Sequence, residues 1–143
     1  MDRARLLAAV SAAQLASGVA GMIVALRREH PYDVLWMHGH PETITRDILF
    51  KGTAFSAPVS TLVTQAALTA VMLGRPSWRV AQGLRVVGVT RVAGYLGERL
   101  VRQRLRPSGW DALESPLIVT TIALSVAMAA LGRLSSTSEM EPA

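Results

Sequence analysis

Residues 6–26 read LLAAVSAAQLASGVAGMIVAL, an uncharged run bracketed by Arg3 and Arg5 before it and by Arg27 and Arg28 after it. A helix over this run is long enough to cross the ~30 Å hydrocarbon core of a bilayer. A secretory leader shares the basic start and the alanine-rich end, but the run is too long for a leader's apolar core, so it is read as a transmembrane helix. Ala9, Ala13, Ser17, Gly21 and Ala25 recur at every fourth position. Such a stripe of small side chains lets a neighbouring helix approach closely, which makes it a packing face rather than a site.

The rest of the chain has the same character. Of 143 residues, 50% are hydrophobic, 17% charged and 5% aromatic, and the mean hydropathy is +0.33. A soluble domain of this length needs a more polar surface and bulkier core anchors. The absence of cysteine excludes a disulfide frame, a thiolate nucleophile and a Cys-bound metal. A net charge of +5 first suggests nucleic acid. The basic residues, however, are mostly arginines flanking the apolar segments, and no basic stripe with interleaved aromatics is present. No nucleic-acid partner is expected.

Three more segments follow. Residues 53–74 are uncharged, with Pro58 near the start and Thr53, Thr61, Gln65 and Thr69 at multiples of four, a polar stripe expected to face a bundle interior. Residues 80–101 carry Arg85, Arg91 and Glu98. On a helix, Arg91, Tyr95, Glu98 and Arg102 share one face, beside a small face of Gly83, Val87, Thr90, Gly94 and Gly97. These charges suit either a spanning helix or one lying in the headgroup plane, and the span is the reading adopted. Residues 115–132 are uncharged and end before Arg133.

The expected fold is therefore all-α: an integral membrane bundle of about four transmembrane helices with short loops. It is one domain over residues 1–133, with helices near 6–26, 53–74, 80–101 and 115–132, and a disordered tail at 134–143. The Ser/Glu-rich composition of that tail carries the last expectation. The first loop, RREHPYDVLWMHGHPETITRDILFKG at 27–52, is broken by Pro31, Gly39 and Pro41, and 43–50 suits a short interfacial helix. Loops one and three hold Arg27, Arg28, Arg46, Lys51, Arg99, Arg102, Arg104 and Arg106, against Arg3, Arg5, Arg75, Arg79 and Arg133 on the other side. The positive-inside rule then puts both termini outside, in a plasma membrane.

Chemistry is expected where loops one and three emerge beside the Glu98 end of the third helix. Glu42, Glu98, Asp111 and Glu114 are the candidate acids and bases, because a carboxyl at the edge of an apolar bundle is desolvated and able to deliver a proton. Arg91 and Tyr95 would orient a substrate oxygen, or Arg91 would pair with Glu98. His38 or His40 would relay protons, and Gln65, Thr61, Trp36 and Trp110 would line a substrate site. For Asp111 and Glu114 a capped turn leading into the fourth helix is the competing reading. The run His38-Gly39-His40-Pro41-Glu42 offers metal-ligand types, but not at a helical ligand spacing, and neither metal nor cofactor is expected.

No motif identifies a family. The leading expectation is a membrane enzyme doing acid–base chemistry of the isomerase, cyclase or epoxide-opening type on a lipophilic small molecule. A small transporter or channel and an accessory subunit of a membrane complex are the alternatives. Membrane lipid is the surrounding partner, and the small-residue face leaves room for a homo-oligomer.

Overall fold

A computed structural model describes residues 2–137 apart from Trp36 and Ile48. The chain is mostly helical, with six α-helices among the described residues: α1 Arg3–Arg27, α2 Ile44–Asp47, α3 Val59–Gly74, α4 Trp78–Gly97, α5 Arg99–Arg104 and α6 Glu114–Thr137. Two of them, α1 and the Glu114–Arg133 part of α6, are long and apolar enough to cross a membrane; α3 is apolar but shorter.

The four long helices form a ring in which α1 meets α6 and α3, and α4 meets α6 and α3. Adjacent helices run antiparallel, as Gln14 opposite Ser125 and Ser17 opposite Thr121 illustrate for α1 and α6. The α4–α6 seam is the most extensive. Glycines make it close: a Cβ on Gly88 would lie 2.8 Å from Ser125 O, and one on Gly132 would lie 2.7 Å from Ala81 O. α3 touches α4 near their connecting turn, where a Cβ on Gly83 would lie 3.1 Å from Leu68.

The core is apolar at both ends and polar in the middle. Leu7, Ala8, Met72, Ala81, Leu84, Val87 and Met128 pack at one end; Ala25, Ala54, Phe55, Tyr95, Val101 and Ile118 pack at the other. Between α1, α3 and α6, Gln65 Nε2 donates to Gln14 Oε1 (2.8 Å) and to Ser11 O (3.0 Å). Gln14 Nε2 donates to Ser125 (3.1 Å), and Ser11 and Thr69 share a 2.7 Å bond. Buried polar groups are tolerated when they satisfy one another, and interhelical bonds of this kind fix register.

Several boundaries differ from the sequence expectation for visible physical reasons. The second apolar segment becomes helical only at Val59, because Pro58 precedes it and Thr53 and Ser56 instead pair across a tight turn. Thr53 thus leaves the stripe of Thr61, Gln65 and Thr69. The third helix stops at Gly97. Glu98 turns extended (φ −72°, ψ 125°) and bridges to Val34, so Arg102 restarts on α5 and donates to the carbonyls of Leu96 and Gly97. The fourth helix runs on through residues 134–137, expected to be disordered, and 138–143 lie outside the described residues. The helix expected at 43–50 is reduced to a 3-10 turn at Pro41–Thr43 and the four residues of α2.

On α1, Ser17, Gly21 and Ala25 face inward as expected, whereas Ala9 and Ala13 face outward and Leu7, Ser11 and Gln14 take the inner positions. Loop one also contains a small antiparallel hairpin, β1 Asp33–Val34 with β2 Met37–His38, which the sequence reading did not anticipate.

Candidate functional site: a buried arginine in a cleft between α3 and α4

Residues 53–56 are not helical, yet they are buried. Their turn is set by Gly52 at φ +83°, where an L side chain is strained, and closed by the Thr53 N–H bonded to Ser56 O (3.0 Å). This wedge slots between α1 and α4. Phe55 O sits against the bare Cα of Gly21 and accepts a 3.0 Å hydrogen bond from the Tyr95 hydroxyl. The Phe55 ring meets His30 edge-on at 5.5 Å.

With the wedge on one side and α3 and α4 on the others, a cavity of about 210 Å³ lies between Thr61 and Thr90, away from the contact of Leu68 with Gly83. Its lining includes Tyr32, Val34, Thr53, Pro58, Thr61, Arg91, Tyr95 and Glu98. Gly94 also opens onto it, and a Cβ added there would meet nothing within 4 Å.

Arg91 dominates the cavity. It is 3% exposed, and none of its three guanidinium nitrogens has a hydrogen-bond partner. The side chain reaches across to α1, where a Cβ on Gly18 would lie 3.1 Å from Nη1, so glycine is what makes room for it. The Tyr95 hydroxyl gives its proton to Phe55 O and is the neighbouring polar group, an electrostatic partner whose oxygen does not meet the guanidinium in hydrogen-bonding geometry. Thr53, another residue lining this cavity, has a buried hydroxyl without a partner. Buried polar atoms are normally paired, so two orphans on one cavity wall are unusual.

Glu98 lies one residue beyond the end of α4 and is also 3% exposed. Its Oε1 accepts the Asp33 N–H at 2.8 Å. Burial pushes its carboxyl up to about 7, a shift moderated by that N–H and by the Arg102 charge, while the Asp33 charge reinforces it. The pairing of Arg91 with Glu98 offered by the sequence reading is not made.

The remaining expected site residues divide into two groups. Asp111 and Glu114 form an ion cluster with loop one. Glu114, fully buried, takes Arg28 (2.5 Å) and His30 (3.1 Å) on Oε1 and Arg104 (2.5 Å) on Oε2. Asp111 Oδ2 binds Arg28 at 3.0 Å, while its Oδ1 accepts the N–H groups of Leu113 (2.9 Å) and Glu114 (2.8 Å). Those two N–H bonds and Arg28 hold the Asp111 carboxyl down at about 2, the Glu114 N–H contributing most. This is the capped turn into α6.

The other group lies apart from the cavity. His38 is exposed and bound to Asp33 (2.5 Å), His40 and Glu42 are exposed, and Trp110 is 56% exposed. Gln65 belongs to the polar core, and only Thr61 of its stripe lines the cavity. Trp36 lies outside the described residues. Among the described residues, no group of three or more His, Asp or Glu is arranged to hold a metal.

The cavity thus unites Arg91, Tyr95, Glu98 and Thr61 of the residues singled out from sequence, and adds Thr53, whose signal was the Gly52 and Pro58 flanking it. Compared with family models, curated proteins and solved structures, the chain matches none, and its cavity is read from its own residues.

Proposed function

We propose that the chain is a membrane-embedded four-helix enzyme that carries out acid–base chemistry on a lipophilic small molecule held in the α3–α4 cavity. Its outward face supports the setting. Val19 and Ile23 on α1, Val63 and Leu73 on α3, Val86 and Val89 on α4, and Val119 and Val126 on α6 are all exposed. Apolar surface on every helix of a ring suits lipid rather than water. The 16 residues of α3 rise only about 24 Å, and the buried wedge before it supplies the remaining depth. Non-helical backbone is tolerated at such depth where protein covers it or a cavity adjoins it. The excess of arginines on loops one and three supports cytoplasmic placement of the cavity end.

The observation that carries the chemical reading is the orphaned guanidinium of Arg91 in the same cavity as the desolvated carboxyl of Glu98. A carboxyl poised near neutrality exchanges a proton in either direction. A fixed cation in a dry site stabilises negative charge on a substrate oxygen far better than water does. Glu98 is the proton carrier in this reading, and Arg91 holds the oxygen. Tyr95 seats the wedge, because its own proton is spent on Phe55 O. One finding favours the transport alternative: Glu98 is the one carboxylate on the cavity wall among the described residues, which is enough for binding but leaves any second proton transfer to Tyr32, Lys51, the substrate or solvent.

Native mass spectrometry of the detergent-purified protein identifies a co-purified lipophile, which is then incubated with wild type and Glu98→Gln in deuterated water. Conversion or deuterium incorporation by wild type, lost in Glu98→Gln with folding intact, is the expected result. Equal exchange by both proteins removes Glu98 and this mechanism. Binding with no conversion by either, together with flux in proteoliposomes, assigns transport instead.

A further inference from the structure

Resting on the reading of the cavity as a substrate site, we infer that its inner end is an oxyanion subsite, in which Arg91 and the Thr53 hydroxyl hold the carboxylate of a single-chain amphiphilic acid. An unpaired charge in a low-dielectric interior is costly and persists where a partner or a cavity compensates it. No Arg91 nitrogen meets a protein acceptor in hydrogen-bonding geometry, the Tyr95 hydroxyl being an electrostatic neighbour only, and the hydroxyl of Thr53, another cavity-lining residue, is likewise unpaired. Together they offer a planar fork and one further donor, the arrangement that suits a two-oxygen acceptor.

Charge selects among oxyanions. Arg91 is one positive charge. Lys51 also lines the cavity, but its ammonium is bound to Asp47 at 3.2 Å and lies over the Tyr32 ring. A monoanion is therefore neutralised one for one, whereas a phosphate dianion leaves excess charge buried. The walls suit an alkyl chain: Val34, Ala54, Ala57, Pro58 and the bare Gly94 line the cleft. Glu98 lies just past the end of α4, about 10 Å along its axis from Arg91 by helical rise, so the far end of a bound chain would pass the carboxyl that moves protons.

The test is equilibrium binding of laurate to the whole protein in phosphatidylcholine nanodiscs, with dodecanol and dodecyl phosphate as comparison probes. Laurate is expected to bind saturably, and dodecanol and dodecyl phosphate more weakly by tenfold or more. Arg91→Gln and Arg91→Met are expected to weaken laurate roughly 10- to 100-fold, the loss typical of a charged hydrogen-bonding partner. Arg91→Met removes a buried charge and is expected to fold. Gly94→Leu keeps Arg91 but fills the cleft, and is expected to block laurate as well.

Laurate binding that survives both Arg91 variants, or dodecanol or dodecyl phosphate binding as tightly as laurate, overturns the assignment. So does abolition of laurate binding by phosphatidylglycerol in the nanodisc, which would give the site to a lipid headgroup. Glu98→Gln is expected to lose proton exchange. Lost exchange in that variant without any laurate binding by wild type would sink the carboxylate subsite and leave the enzyme reading standing.

Discussion

The hydroxyl of Tyr95 and the main-chain oxygen of Phe55 are joined by a buried 3.0 Å hydrogen bond that ties α4 to a non-helical wedge. The same oxygen rests against Gly21 of α1, so one carbonyl fixes three elements. Tyr95→Phe leaves that acceptor buried and unpaired, at a cost of about 1–3 kcal/mol. Thermal unfolding in detergent should fall accordingly, and limited proteolysis should open the chain first near residues 52–57.

The α4–α6 seam and the α3–α4 cleft predict opposite responses to a side chain on glycine. Gly88→Val places atoms against the main chain of Ser125 and Ala129, within 3 Å at the Cβ alone, and the helices must separate. A loss of roughly 2 kcal/mol or more is expected, in line with overpacking of a tight core. Gly94→Ala meets nothing within 4 Å and should gain about 0.5–1 kcal/mol from helix propensity. Paired unfolding measurements check both signs.

Anion binding by the cavity should depend on the ionisation of Glu98, whose carboxyl is raised to about 7. Below that pH Glu98 is neutral; above it a second negative charge shares the cavity with the bound anion, and affinity should fall as pH rises through about 7. The groups facing Glu98 are Asp33, whose charge reinforces the rise, and Arg102, whose charge opposes it, with Tyr32, Lys51, Arg91 and Tyr95 on the same cavity wall. The same raised value makes ionisation cost folding stability as pH climbs from the ordinary carboxylate range to about 7. Glu98→Gln should flatten both profiles. A laurate titration series from pH 5 to 9 reads the first, and melting curves over that range read the second.

Asp111 has the opposite sign. Its carboxyl is held at about 2, so its stabilisation is complete above the ordinary carboxylate value of 3.8 and is lost as pH falls toward 2. Asp111→Asn should flatten the acid limb of a stability profile in that window. It should also raise hydrogen exchange at Leu113 and Glu114, whose N–H groups it caps.

Much of this arrangement was legible in the amino-acid sequence, and the exceptions share a cause. Long uncharged runs announce α1, α3 and α6, and an arginine within an apolar segment marks Arg91, since lone charges at such positions are costly. Thr53 falls outside the helix because an uncharged run does not reveal where a helix begins; Gly52 and Pro58 mark the break, but only three-dimensional burial makes the turn a wedge. Gln65 has the right face for the bundle interior and the wrong depth for the cavity, a distinction periodicity does not encode. The ion cluster joins Arg28 to residues 83 and 86 positions away, and no local pattern couples such distant charges. Arg91 and Glu98 share a helical face but stand about 10 Å apart along it by helical rise, and a shared face does not by itself make a pair.

The wedge carries a consequence for biogenesis. Residues 53–56 precede α3 in the chain, yet their seat needs Gly21 from behind and Tyr95 from ahead. A chain emerging amino end first therefore forms α1 and α3 with the wedge unsupported, and its polar main chain cannot settle until α4 arrives. The cavity is assembled late, and chains truncated before Tyr95 would present quality-control proteases with an unseated loop rather than a partial site.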